Sequence, residues 1–340
     1  MPVHELVRID GTWSRILRGG QPLEDSVEAF ILGTTKPTSA NTGLNVEGIS
    51  VGSLTTVNGN VTHSTNDMTY ENMRFTGYVN VTGKRITYRN CWFNGSPAAD
   101  TALVRCINSN VEAIRFENCL FEPSSYATDA DTALENCIFG HDFILSRCEL
   151  LGGIDIIGLY SGVALSTPAR NIQILGCYMH DMTYFSPDSG HSDNQTHNDG
   201  VQVHGGVHDF LMYGTRIDAT INPAVGAAST PPTTVDGQHM GGNKQYPWLT
   251  SMSAFMLTPA NTTAGVNNFV VDNSWLGGGT VIFNWSRSDG TNVRISNNRW
   301  TRGTKLGDDF TILMKVAQPA TITGNYYEDT LTPWNGRKAG

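Results

Sequence analysis

Clustered positive charge is what this sequence most plainly lacks. Its 22 Lys and Arg are spread through 340 residues, acids bring the net charge to −9, and no basic block appears. Gripping a nucleic-acid backbone needs grouped Lys and Arg, so no nucleic-acid partner is expected. Charge of either sign is scarce, at 16% of residues. No stretch approaches the roughly 20 apolar residues of a membrane span, so none is expected. The opening MPVHELVRIDGTWSRILRGG carries charges where a secretory leader needs about 7–15 apolar residues in a row, so no leader is expected either. The six cysteines form no CxxC or CxxxxC pair, which removes the usual thiolate metal signatures. They read instead as buried free thiols acting as small core hydrophobes.

What is present points to strands. With 36 Gly, 13 Phe and 11 Tyr, the composition suits many short strands and tight turns, and all-β is the expected class, dominated by one domain. Residues 1–35 differ from the rest: VRIDGTW reads as a strand, and PLEDSVEAFIL, with Leu23, Val27, Phe30 and Ile31, reads as a short amphipathic helix. Together they form an expected adaptor segment. From about Lys36 a polar, Gly- and Ser-rich stretch leads into the main body, which extends to about residue 330. Residues 331–340 read as a short tail.

The main body repeats a unit of the form apolar, x, apolar, x, Asn or Gly, small residue, x, apolar. It occurs as MTYENMRF (68–75), ITYRNCWF (86–93), IRFENCLF (114–121), IQILGCYM (172–179), FLMYGTRI (210–217), FVVDNSWL (269–276), VRISNNRW (293–300) and ATITGNYY (320–327). Looser copies are ALENCIF (133–139) and FILSRCEL (143–150). Many intervals match one turn of a parallel β-helix, in which apolar side chains alternate inward and polar ones outward. Stacking of equivalent positions predicts an internal ladder of Cys91, Cys119, Cys137 and Cys177. A β-sandwich would show paired strands with NG or DG turns, and a propeller would show blades of roughly 40 residues.

One stretch gathers chemistry far more densely than the others: YMHDMTYFSPDSGHSDNQTHNDGVQVHGG, from Tyr178 to Gly206. In VQV, Val201 and Val203 should point inward, leaving Gln202 and His204 outside together with Asn198. Asp199 sits at the bend, with its direction open. CYMHDM should bring His180 and Asp181 to a comparable edge one coil earlier, within the ~4.8 Å spacing that lets carboxylates on neighbouring coils meet. Two carboxylates with a nearby His can run glycoside hydrolysis. Candidate catalytic residues are therefore Asp181, Asp199, His197 and His204. Candidate substrate contacts are His180, Asp193, Gln202 and Trp285, the last as a stacking surface for a sugar ring. The competing reading of Asn, Asp and His at β-helix bends is that they satisfy backbone groups. No cofactor is expected. The spacing from His197 to His204 fits no standard zinc signature, so no metal is expected. The Pro-, Gly- and Thr-rich stretch from Ala219 to Pro247 reads as a long excursion beside the cluster.

The entry KPTSANTG, coils such as ITYRNCWFNG and the segment HNDGVQVHGG resemble right-handed parallel β-helix proteins of the pectate-lyase-like superfamily, especially forms found as minor tail proteins of actinobacteriophages. The similarity spans roughly residues 36–330. It implies a virion tail-tip or spike subunit that binds a host cell-wall or capsular glycan, contacts other tail proteins and assembles as a homotrimer. Whether it also cleaves the glycan stays open, with hydrolysis of a neutral glycan ranked above elimination. Two alternatives remain: a secreted, extracellular glycosidase or polysaccharide lyase with no virion role, and a purely structural tail protein. Polygalacturonase-like members use paired Asp-Asp and a Gly-His-Gly motif; no Gly-His-Gly occurs here, and the Asp308–Asp309 pair lies far from the Tyr178–Gly206 stretch.

Overall fold

The structure is a computed structural model. It describes residues 34–98, 101–185, 188–191, 194, 196–219, 253–257, 265–279, 281–285, 290–301 and 320–334 in full, together with the strand paths at 6–9, 12–18, 21–22, 234–235, 238–239, 312–314 and 338–339. The helix expected over residues 23–31 and nearly all of the excursion after Ala219 lie outside the described residues.

The chain folds as the expected right-handed parallel β-helix, in agreement with the hand that crossover connections between parallel strands adopt. Successive coils each add one strand to each of three parallel sheets, which contain ten, ten and nine strands. The first sheet begins at Thr55–Val57, the second at Val61–His63 and the third at Thr69–Glu71. Each sheet then grows in strict coil order. The inward positions of all three meet in one continuous core, where Phe93, Phe116, Phe121, Phe255, Phe283 and Trp300 are buried. Rings at equivalent positions stack directly, as in Phe93 on Phe121 at 4.7 Å and Phe255 on Phe283 at 4.5 Å. No helix of the described residues is long and apolar enough to cross a membrane.

The corner between the third and first sheets explains the repeat. Asn72, Asn90, Asn118, Arg147, Gly176, Gly214, Asn273, Asn297 and Gly324 all occupy it with positive φ. Asn and Gly dominate because that backbone region is cheapest for them. The next residue turns inward and forms a polar ladder along the axis. Cys91, Cys119 and Cys148 each place Sγ within reach of a backbone carbonyl. Cys177 Sγ accepts from the Cys148 N–H, and Thr215 Oγ1 accepts from the Cys177 N–H. Ser274, Asn298 and Asn325 continue the series. The expected ladder is thus corrected at one member. Cys148 takes the place assigned to Cys137, which lies in the second-sheet strand Asn136–Gly140 and directs Sγ to the Leu151 carbonyl.

All six cysteines are buried and free, and burial pushes Cys137 up to about 12. A thiol reagent is expected to label none of them in the native protein and all of them after denaturation without reductant. Incomplete labelling after denaturation, by mass spectrometry, would contradict this.

The stretch KPTSANTG is not an entry coil. It forms a strap along the outside of the first sheet. Lys36 pairs with Glu328 in the last coil, the Pro37 carbonyl accepts from Arg216, and Gly43 N–H donates to the Arg147 carbonyl at 2.8 Å. Glu47 then accepts from Asn118 and Asn90 at 2.8 and 3.2 Å. Gly43 has φ of 58°, and a Cβ there would sit 3.1 Å from Glu149 Cβ, so glycine suits both the turn and the close approach.

Candidate functional site

The second sheet carries the richest outward face. Arg105, Phe139, Gly158, Gln202, Met256 and Asn284 share one register position on successive coils. Their neighbours Val104, Ile138, Ile157, Val201, Phe255 and Phe283 are buried in the core, so the shared row points outward. Within it the Phe139 ring leans over Gly158, where a Cβ would lie 2.4 Å from a ring carbon. The same absent Cβ would lie 3.1 Å from Asn136 Nδ2. Tyr160 stacks on Phe139 at 5.7 Å and His204 meets it edge-on at 5.2 Å. The result is a half-buried aromatic shelf with amide groups beside it.

Three polar atoms around that shelf are buried and lack a hydrogen-bond partner, Asn136 Nδ2, Gln202 Oε1 and His204 Nε2, as does Asn284 Oδ1 two coils beyond Gln202 on the same row. Native proteins leave few such atoms unsatisfied, and a ligand or water is the ordinary partner for those that remain. Burial lowers the pKa of His204, which favours the neutral ring able both to donate and to accept.

Asn136, Asp155, Asp199 and Ser253 form the first row of this sheet, at the corner reached from the first sheet. Asp199 N–H donates to Asp155 Oδ1 at 2.6 Å, and Asp199 Oδ1 accepts from Ser253 N at 2.9 Å and Ser253 Oγ at 2.6 Å. Burial raises both carboxyls, Asp199 to about 7 and Asp155 well above its usual range, where Asp199 and Glu135 add repulsion. Asp199 Oδ2 is buried and unpartnered.

Loops border the face on both edges. Thr183 and Asn198, at the two ends of one loop, hold it to the turn at 152–154: Thr183 Oγ1 donates to the Gly152 carbonyl, and Asn198 Nδ2 donates to the carbonyls of Ile154 and Thr183. Asn198 is thus a loop anchor rather than an outward group. Phe185 packs with Ala133 and Ile154 beneath this loop. Farther out, His191 Nδ1 meets Asp188 Oδ2 at 2.6 Å, and the His191 and His197 rings stack at 4.3 Å. At the opposite edge a second loop runs through Val163 and Leu165, both exposed.

The expected site residues therefore distribute over two faces. Gln202 and His204 reach the second-sheet shelf, and Asp199 lies at its corner. His180 belongs to the first sheet of the same coil, with Asp181 at positive φ just beyond the strand end, not to a comparable edge one coil earlier, because the strand Tyr178–His180 pairs there with Glu149–Leu151. His180 is held between Asp181 (Nδ1 to Oδ2, 2.8 Å) and Glu149 (Nε2 to Oε1, 3.0 Å) and stacks on Tyr178 at 4.0 Å. Tyr178 OH donates to Asp218 Oδ2, and Arg216 lies over the Tyr178 ring at 4.5 Å. Asp218 lies in the first-sheet strand Arg216–Ala219. Trp285 is corrected outright: it is 1% exposed and packs in the core, so it offers no stacking surface. Asp193 lies outside the described residues. Among the described residues no group of three or more His, Cys, Asp or Glu is placed to hold a metal ion.

Sequence reading missed Asn136, Phe139, Asp155, Gly158 and Tyr160. The signal lay in ENCIFG and IDIIGLY, which align with NDGVQVHG once the coils are stacked. Comparison of the chain with family models, with curated proteins and with solved structures finds no match in any of the three.

Proposed function

We propose that this chain is a glycan-binding parallel β-helix of a phage tail, whose second sheet grips a neutral host-surface glycan. The carrying observation is the half-buried shelf of Phe139, Tyr160 and His204, flanked by the unpartnered Asn136 Nδ2 and Gln202 Oε1. Aromatic faces pair with the apolar faces of sugar rings, and amides supply both donors and acceptors to hydroxyls. The virion setting rests on the resemblance of the coil sequences, and flanking tail genes would support it.

The test is binding to purified neutral and uronate-rich wall glycans. Phe139→Ala and Gln202→Ala are each expected to weaken neutral-glycan binding about tenfold or more, the loss of a stacking surface or a buried hydrogen bond. Binding unchanged in both variants would sink this reading.

A second reading, glycoside hydrolysis, is favoured by one feature: Asp199 holds its proton to about pH 7 and has a free oxygen, as a general acid requires. Under it Asp199→Asn abolishes release of oligosaccharide, by about a hundredfold or more. Under the binding reading Asp199→Asn leaves glycan affinity unchanged. It is also expected to raise stability above neutral pH, because a carboxyl with a folded pKa above its unfolded one costs stability as pH rises through that window. Melting curves at pH 5 and pH 8 check the sign.

A further inference from the structure

A buried histidine at the edge of the shelf keeps one ring nitrogen without a partner. His141 follows the strand Asn136–Gly140 that carries Phe139, and it is 3% exposed. Gly140 pairs with Cys106 on one side and Leu159 on the other, and the ladder continues as His141 N–H donates to the Cys106 carbonyl and Tyr160 N–H to the Gly140 carbonyl. His141 therefore stands in register between Ile107 and Tyr160. Its Nδ1 meets Asp142 Oδ2 at 2.7 Å, and Asp142 accepts in turn from Arg170 Nε at 3.2 Å and Asn171 Nδ2 at 2.6 Å. Burial opposes a charge on Asp142, but hydrogen bonds from His141, Asn171 and Arg170 outweigh it and hold the carboxyl below its usual range. An ionised carboxylate only accepts, so Nδ1 carries the hydrogen, and the neutral ring then offers a lone pair at Nε2. Nε2 is buried and has no partner.

The loop after Tyr160 crosses this coil. Gly162 lies against the Ile107 backbone, where a Cβ would sit 1.6 Å from the carbonyl oxygen, and Gly205 lies against the Leu165 carbonyl, where a Cβ would sit 2.7 Å from its oxygen. Ile107 is one coil before His141 and Gly205 two coils after it, so the loop bridges the sheet edge beside His141. Gly162 has φ of 72°, and glycine suits both that turn and the close approach. The loop is braced from within: Ser161 Oγ donates to the Ala164 carbonyl at 3.1 Å, and Val163 N–H donates to Ser161 Oγ at 3.3 Å. It carries two apolar side chains into solvent, Val163 at 63% exposure and Leu165 at 39%.

We infer that His141 and this loop form a subsite for an N-acylated amino sugar: the amide N–H donates to His141 Nε2, and the acyl group packs against Val163 and Leu165. The inference rests on the shelf binding a neutral glycan, and it names the kind of sugar that the shelf selects. A nitrogen that can only accept requires a donor from the ligand. Exposed apolar side chains beside it favour an apolar group close to that donor. An N-acyl substituent supplies both in that order and carries no charge. A carboxylate or phosphate would set acceptor against acceptor, and a bare hydroxyl would leave Val163 and Leu165 uncovered. Asp142 acts through His141 as a positioning residue, fixing the tautomer and the direction of the ring.

Chitotetraose and cellotetraose provide the test, because they share one backbone and linkage and differ in carrying an N-acetylamino group or a hydroxyl at the same carbon. Calorimetry on the wild type is expected to show about tenfold tighter binding of chitotetraose, the worth of one buried hydrogen bond and a covered methyl group. His141→Asn keeps a donor for Asp142 but loses the acceptor, and is expected to abolish the preference. His141→Gln gives up the bond to Asp142 but keeps an acceptor near the position of Nε2, and is expected to retain most of it. A purely structural His141 would give the reverse order. Val163→Ser combined with Leu165→Ser is expected to weaken chitotetraose binding alone, with an unchanged melting temperature because both side chains are exposed. Phe139→Ala, which reads the shelf and not this subsite, is expected to weaken both tetramers equally. Equal affinities for the two tetramers, failure of both to bind, or a preference that survives His141→Asn would overturn the inference. Wall-glycan binding that depends on Phe139 while the tetramers go undistinguished would overturn this inference alone and leave the shelf standing.

Discussion

Trp285→Ala is expected to lower stability by about 3–5 kcal/mol, the cost of deleting a large buried aromatic side chain. The ring is enclosed by the core, and Gly290 in the neighbouring strand makes room for it: a Cβ there would lie 2.5 Å from a ring carbon. Little of the cavity can collapse, because the coils above and below are fixed by their sheet hydrogen bonds. Phe139→Ala removes a half-exposed ring and is expected to cost far less. Chemical denaturation of the two variants beside the wild type checks the contrast. Equal losses would contradict the assignment of Trp285 to the core and Phe139 to the surface.

His180→Gln is expected to show a stability loss that depends on pH. Burial opposes a charge on His180, but hydrogen bonds and attraction from Asp181 and Glu149 outweigh it and hold the pKa at about 9, against 6.5 when unfolded. Tyr178 and Asp218 face the same cluster from the first sheet, as do Arg216 and, one coil below Glu149, Glu122. A His pKa raised on folding contributes stability that is fully present below pH 6.5 and is lost as pH rises through 9. The difference of 2.5 units corresponds to about 3 kcal/mol at most. The variant also leaves Glu149 buried against the strap without its cation. Denaturation at pH 6 should show most of the loss, and at pH 10 little of it. A deficit that does not change between the two would contradict the ion-pair account.

The fold was legible because β-helix coils impose one constraint many times. Inward alternation and an Asn or Gly at the corner recur in nearly every copy, and each follows from local backbone physics. Assigning a residue to a sheet was harder. His180 and Gln202 both follow alternation correctly, and FSPDSGHSDNQT reads as a loop, yet nothing in the sequence says that this loop carries the chain from the first sheet to the second within one coil. The ladder slipped from Cys148 to Cys137 for the same reason: ENC and SRC look alike, but only the second follows a positive-φ corner residue, Arg147. Trp285 was readable after all. In VIFNW it alternates with Phe283 across the half-buried Asn284, and both rings lie in the core. The strap escaped detection because an axial segment has no period of its own.

Hydrogen exchange with a bound neutral oligosaccharide tests the central claim most directly. The account predicts protection at residues 136–140, 155–160 and 199–204, the three consecutive strands of the second sheet that carry Phe139, Gly158 and Gln202, with the strands around Glu149 and His180 unchanged. Protection confined to the first sheet, or to the loop through Val163 and Leu165, would contradict it.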